Sequence, residues 1–127
     1  MRMSGVVLDS ADPRKLADFY QRLLGWPIGA NEPEWVTLRP PGGGPSLSFQ
    51  HEPLYSPPSW PSAADRQQMM VHLDIEVDDL EVAGAHAVDV GATLAGFQPQ
   101  QDVRVYLDPA GHPFCLWVQP AAASGTV

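Results

Sequence analysis

The chain has 127 residues, 44 % of them hydrophobic, and a net charge of −8 at neutral pH. The length suits one compact domain or two small modules, and the excess of carboxylates would repel phosphate backbones, so nucleic-acid binding is not expected. Cys115 is the only cysteine, which excludes an internal disulfide. No apolar run approaches the roughly 18 residues of a membrane helix and the N-terminus lacks a signal-peptide core, so we expect a cytoplasmic location without membrane contact.

The first 51 residues have the pattern of one βαβββ module. The predicted elements, in order, are a strand at 5–9, a helix at 13–24, a short edge strand at Ile28, and strands at 35–38 and 47–50. Asp12 is suited to cap the helix, because a short carboxylate accepts hydrogen bonds from the free N–H groups of the first turn. Gly25 suits the left-handed residue that ends a helix.

Residues 52–68 are rich in proline and serine and form the one credible linker, semi-extended rather than flexible. Tyr55 and Trp60 are unusual in a spacer. Two interpretations remain open: these aromatic side chains pack on the nearest sheet and hold the linker, or they form a lid over a pocket.

Residues 69–120 repeat the pattern of the first module, and a tail at 121–127 is expected to fray. The predicted elements are a strand at 70–77, a helix at 79–90, a short strand at 93–94, and strands at 103–107 and 114–118. Asp12 and Gly25 recur as Asp78 and Gly91 at the same spacing. The common order of strand, acidic cap, helix and glycine therefore indicates an internal duplication.

Strand alternation divides each predicted strand into an apolar side, which would cover the helices, and a mixed side with aromatic and polar residues. The candidate ligand-binding residues on the mixed side are Trp35, Ser48, Gln50, His72, Asp74, Glu76, Arg104, Tyr106, Cys115 and Trp117. A face of this composition suits a partly wet pocket. The alternative is a solvated face or a dimer contact.

His72 is the candidate catalytic residue, because an imidazole can act as acid or base near neutral pH and Asp74 or Glu76 could orient it. The alternative is a structural hydrogen-bonding histidine. Cys115 could be a nucleophile if His72 lay beside it, whereas a lone buried cysteine is usually inert.

Several motifs resemble the vicinal oxygen chelate superfamily, and most closely its glyoxalase-like and bleomycin-resistance-like members. They are LADFY at 16–20 followed by LGW at 24–26, HLDIEVDDL at 72–80, GAT at 91–93 and DPAGHPF at 108–114. The resemblance spans residues 5–119. It implies an α+β fold in which two βαβββ modules form a cup of curved mixed sheets. It says little about function, because this fold carries metal-dependent lyases, isomerases and dioxygenases beside metal-free binding proteins.

The resemblance also implies where a metal would bind, with one ligand on the first and one on the last strand of each module. These places correspond to Gly5 (within one residue), Ser48, His72 and Cys115. Glycine has no donor and a serine hydroxyl is a poor ligand, so two useful donors remain where catalytic zinc needs about three. We therefore expect no metal site and no cofactor, with Zn, Ni, Mn or Fe as the alternative.

The first functional hypothesis is metal-free binding of a small aromatic or cationic molecule, including antibiotic sequestration, by a protein that forms a homodimer. Acidic charge and aromatic walls favour a cationic ligand. The second hypothesis is a glyoxalase-like lyase, isomerase or dioxygenase that uses His72. The third is an assembly role in which the mixed face is a contact between subunits.

Overall fold

The computed structural model describes residues 1–120, which form two four-stranded mixed sheets and two helices. The elements are β1 Gly5–Ser10, α1 Pro13–Leu24, β2 Ile28–Glu32, β3 Trp35–Leu38, β4 Ser46–His51, β5 Leu73–Glu76, α2 Leu80–Asp89, β6 Thr93–Leu94, β7 Val103–Leu107 and β8 Pro113–Trp117. The predicted α+β fold of two βαβββ modules is confirmed. The predicted tail at 121–127 lies outside the described residues.

The chain divides into two compact units that do not follow the module boundaries throughout. The first unit comprises residues 1–57 and the turn 108–111, and the second comprises 58–107 and the segment that begins at His112. The predicted linker is thus shared between the units, with 52–57 in the first.

The two linker aromatics are held by hydrogen bonds inside their own units. The Tyr55 hydroxyl donates to the Ala110 carbonyl at 2.8 Å. The Trp60 indole donates to the Phe97 carbonyl at 3.0 Å, with the two rings 5.9 Å apart. Both residues therefore anchor the linker, although on a turn and a loop rather than on a sheet.

Helix α1 begins after Asp12 as predicted, whereas α2 begins after Asp79, one residue later than the Asp78 that matches Asp12 in the sequence. The Asp12 carboxylate accepts from the Lys15 amide at 3.1 Å, and the Asp79 carboxylate accepts from the first-turn amides of α2. Helix α1 ends at Gly25, whose φ of 73° is left-handed and costs little without a Cβ. Neither helix among residues 1–120 is long and apolar enough to cross a bilayer.

The first sheet has the order β1-β4-β3-β2 and packs one face against α1. Tyr20 and Phe49 are fully buried there, with stacked rings 5.6 Å apart. The largest buried side chains of this core are Leu16, Phe19, Tyr20, Val36, Leu38 and Phe49.

A buried charged hydrogen bond completes the first unit. The Tyr20 hydroxyl donates to the Asp108 carboxylate at 2.8 Å, and Asp108 also accepts from the Ala110 amide at 2.9 Å. Burial first, and then the Asp108 carboxylate, raise the pKa of Tyr20 well above its usual value. The phenol is therefore always a donor, and the bond satisfies a carboxylate that is only 4 % exposed.

The second sheet has the order β5-β8-β7-β6, with α2 on one face. Strand β5 is shorter than predicted, so His72 lies immediately before it. Leu73 pairs with Phe114 and Ile75 with Leu116 on the side towards α2, where Phe114 and Leu116 are fully buried and Leu73 and Ile75 are half-buried.

The prediction that Arg104 and Tyr106 lie on the mixed side of β7 is wrong. Tyr106 pairs with Phe114 and Arg104 with Leu116, so both point to the helix side, whereas Val103 pairs with Trp117 on the other side. The aromatic ring offers more apolar area than valine, and it fits because α2 presents Gly84 against the Tyr106 hydroxyl.

We predict that Tyr20→Phe lowers the free energy of unfolding by about 1–3 kcal/mol, because it leaves the buried Asp108 carboxylate short of a donor. Urea denaturation measures this loss. Tyr55→Phe is the matched control, since its half-exposed hydroxyl bonds a neutral carbonyl and its removal should cost less. Equal stability of Tyr20→Phe and the unaltered protein would contradict the prediction.

We also predict that Gly84→Ala destabilises the protein by about 1–3 kcal/mol through overpacking, although alanine normally favours a helix. Its Cβ would collide with the Tyr106 hydroxyl. Tyr106 is 6 % exposed and stacked on Phe114, so it cannot move away easily. Adding Tyr106→Phe should restore much of the loss in thermal denaturation, and a stabilising Gly84→Ala would show that the contact is not tight.

Candidate functional site

The register of the second sheet brings the candidate site residues of this unit together. Asp74 pairs with Cys115 and Glu76 with Trp117 in the parallel β5–β8 ladder. Directly paired residues project on the same side of a sheet, so these four side chains share the side away from α2. We call this side the helix-distal face.

A cavity of about 240 Å³ opens on the helix-distal face. Its lining residues are His72, Asp74, Gln100, Val103, Cys115 and Trp117. Four of these belong to the set predicted from the sequence. Gln100 and Val103 do not: Gln100 lies in a loop without any motif, and Val103 lies on β7, where the two sides of the strand were predicted the wrong way round.

His72 and Asp74 form an exposed pair. His72 Nε2 lies 3.1 Å from Asp74 Oδ1, with side-chain exposures of 39 % and 61 %. An exposed pair of this kind contributes little to stability. Its effect is to fix the orientation of the imidazole beside the cavity.

Cys115 is a protonated thiol at neutral pH. Burial first, and then the charge and hydrogen bonding of Asp74, raise the pKa of Cys115 from 9.0 to about 11. The thiolate is the nucleophilic form of cysteine. The surroundings of Cys115 therefore oppose the nucleophile hypothesis, and they favour a thiol that donates to Asp74.

The structure brings a third possible metal ligand, Asp74, beside the two that the sequence analysis counted. Donor atoms of His72, Asp74 and Cys115 all lie within 4.8 Å of one another. The expectation of no metal depended on only two donors in this module, His72 and Cys115. Asp74 completes the number of protein ligands that catalytic zinc sites commonly have.

The first unit has no suitable metal ligand at Gly5 or Ser48, the two places where the family resemblance implies one. A Cβ on Gly5 would lie 2.9 Å from the Ser46 carbonyl oxygen, so this position has little room for a side chain. Ser48 is 5 % exposed, and its hydroxyl is 3.0 Å from that of Thr37. The four-ligand arrangement implied by the family resemblance therefore does not fit these residues.

The remaining predicted residues lie outside the cavity lining. In the first unit Trp35 pairs with Gln50, whose side chain donates to Asp9 at 2.8 Å. In the second unit Glu76 accepts from Gln119 at 3.1 Å.

Arg104 and Tyr106 do not belong to the site as predicted, because they lie on the helix side of β7. The Arg104 guanidinium donates to backbone carbonyls of 100, 101 and 103 rather than pairing with Asp74 or Glu76. Tyr106 stacks on Phe114 with ring centroids 5.9 Å apart.

We predict slow alkylation of Cys115 by iodoacetamide near pH 8, with a rate that continues to rise towards pH 11. Because the pKa lies about two units above 9.0, the thiolate fraction at pH 8 should be about 100-fold below that of the urea-unfolded chain. Asp74→Asn removes a cause of the raised pKa and should accelerate the reaction. A rate that levels off below pH 9 in mass spectrometry would contradict this prediction.

Comparison with known proteins agrees with the fold. The family model described as "Glyoxalase-like domain" matches residues 5–117. No curated protein sequence matches significantly. Among solved structures, the chain is similar to a glyoxalase/bleomycin resistance protein/dioxygenase family enzyme from Burkholderia phytofirmans PsJN, with 18 % identity, 93 % and 98 % of the two chains covered and a TM-score of 0.71.

Two further structures show the same similarity. One is a glyoxalase-related enzyme from Fulvimarina pelagi, with 18 % identity, coverage of 100 % of this chain and 96 % of that chain, and a TM-score of 0.68. The other is a glyoxalase/bleomycin resistance protein from Albidiferax ferrireducens T118, with 20 % identity, 93 % and 98 % coverage and a TM-score of 0.58. With the family match over residues 5–117, the chain belongs to the glyoxalase-like domain family of the vicinal oxygen chelate superfamily.

Proposed function

We propose that this glyoxalase-like protein binds a small cationic molecule in the cavity on the helix-distal face, and that this binding needs no metal. The observation that carries the proposal is the convergence of a carboxylate, an imidazole and an indole, from Asp74, His72 and Trp117, on one cavity. Binding sites commonly combine an aromatic wall with a few polar groups that fix orientation.

Charge favours a cation as the recognised group. The chain carries a net charge of −8, which raises the local concentration of cations. Asp74 keeps 61 % of its side chain exposed, so its carboxylate remains accessible to a ligand. The face of Trp117 adds attraction for an ammonium group, worth about 0.5–1 kcal/mol at an exposed site and more when desolvated.

The size of the cavity limits what it can enclose. At about 240 Å³ it is smaller than the roughly 300–1,000 Å³ of pockets that hold drug-sized ligands. It therefore suits a small amine or one charged arm of a larger molecule. Antibiotic sequestration, suggested by the name of the Albidiferax relative, would place only part of a cationic glycopeptide here.

A lyase, isomerase or dioxygenase activity is the second candidate function. It is favoured by the three donor atoms within 4.8 Å, which could hold a divalent metal that polarises a substrate oxygen. His72 could instead move a proton at Nε2, where Asp74 orients the ring. Activity lost in His72→Ala, with ligand binding retained, would support this candidate.

Titration with benzyltrimethylammonium and with a cationic glycopeptide antibiotic, in the presence of a chelator, tests the binding function. We expect saturable heat in calorimetry and a change in tryptophan fluorescence that Trp117→Leu removes. Asp74→Asn should weaken binding about tenfold, as expected for loss of one charged contact of roughly 1.4 kcal/mol.

The matched control is Asp18→Asn, which changes the net charge equally but lies on α1 beside Arg22 in the first unit. It should bind like the unaltered protein. Benzyl alcohol provides a neutral aromatic comparison and should bind more weakly. The absence of binding by either cation up to millimolar concentration, or equal weakening in both aspartate variants, would refute the proposal.

A further inference from the structure

Side chains that could bind a metal are distributed unequally between the two modules. In the first unit the places that correspond to metal ligands carry Gly5, which has little room for a side chain, and Ser48, whose hydroxyl is engaged with Thr37. In the second unit the corresponding places carry His72 and Cys115, and Asp74 supplies a third ligand atom within 4.8 Å of both.

We propose that His72, Asp74 and Cys115 bind one thiophilic divalent cation, such as Zn²⁺, in a three-donor site contained within the second unit. This arrangement differs from the four-strand one implied by family resemblance. It takes a carboxylate from the middle of β5 in place of any ligand from the first unit.

The geometry requires only small movements. Zinc bond lengths of about 2.0–2.3 Å and tetrahedral angles place ligand atoms roughly 3.3–3.7 Å apart. His72 Nε2 and Asp74 Oδ1 are now 3.1 Å apart, and all three donor atoms lie within 4.8 Å. The half-exposed His72 and Asp74 side chains can rotate by this amount without disturbing the sheet, because His72 precedes β5.

The chemical types of the three ligands determine which metals the site would prefer. A thiolate and an imidazole suit zinc and its chemical relatives, whereas magnesium and calcium prefer sites made only of oxygen. Binding converts the Cys115 thiol to a thiolate, and its proton leaves to solvent or buffer. With three protein ligands, one coordination position would remain open for water or a substrate.

A bound metal would also change the ligand preference of the cavity. It engages the Asp74 carboxylate, and its two positive charges offset those of the carboxylate and the Cys115 thiolate, so a cationic molecule and the metal should compete. This competition rests on the proposed function, whereas metal binding itself does not.

Titration of the chelator-treated full chain with Co²⁺, followed by displacement with Zn²⁺, tests the site directly. We expect one Co²⁺ per chain and a thiolate-to-cobalt charge-transfer absorption that Cys115→Ser abolishes. His72→Ala and Asp74→Asn should each weaken Co²⁺ and Zn²⁺ binding at least about tenfold, since even indirect contacts to a metal contribute that much. Circular dichroism without metal verifies that each variant is folded.

Ser48→Ala is the matched control, and it should leave the affinity unchanged because Ser48 is not a ligand. Absence of Co²⁺ and Zn²⁺ binding up to millimolar concentration would overturn the proposal. So would a charge-transfer band that persists in Cys115→Ser, or an equal loss of affinity in Ser48→Ala.

A repeat of the benzyltrimethylammonium titration at saturating Zn²⁺ separates the two proposals. Weaker binding of the cation in the presence of Zn²⁺ supports competition at Asp74. If Zn²⁺ binds but the cation binds in neither condition, the proposed ligand fails and the metal site stands. If the cation binds equally in both conditions, the competition is refuted.

Discussion

The parallel pairing of β5 with β8 determines which chemical groups meet in the second unit. It places Asp74 opposite Cys115 and Glu76 opposite Trp117, and a shift of β5 by one residue would turn Asp74 and Glu76 towards α2. The shift is opposed by Leu73 and Ile75, which would leave the side of the sheet on which Phe114 and Leu116 are fully buried. The apolar packing on one face thus holds the polar groups of the other in position.

The two modules share an order of elements but differ in chemistry at equivalent places. In the first sheet the parallel pair that corresponds to Asp74 and Cys115 is Val7 and Ser48. Ser48 is bonded to Thr37 and is buried, so it contributes to packing rather than to a site. The duplicated architecture has therefore kept ionisable groups on this part of the second sheet and apolar or satisfied groups on the first.

Most of the fold could be predicted from local sequence signals, because Asp12, Asp79 and Gly25 act on their own neighbours in the chain. The faces of most strands followed from alternation. Alternation predicted the wrong side for the residues of β7. Tyr106 faces the helix there because Gly84 on α2 leaves room for its side chain. Nothing local to β7 carries that information.

The candidate site was predictable in its residue types but not in its grouping. The spacing of His72 and Asp74 indicated a pair on one strand, and the 3.1 Å contact agrees with it. The approach of Cys115 depends on the β5–β8 register, which joins residues about forty positions apart and has no short-range signal. Gln100 reaches the cavity from a loop, where conformation depends on tertiary contacts.

The hydrogen bond from Tyr20 to Asp108 has a consequence for synthesis of the chain. These residues are separated by 88 positions, so the N-terminal unit cannot form this hydrogen bond until most of the polypeptide has left the ribosome. Long-range contacts of this kind slow folding. The nascent first unit would thus expose an incomplete core, open to chaperones, until the turn at 108–111 emerges.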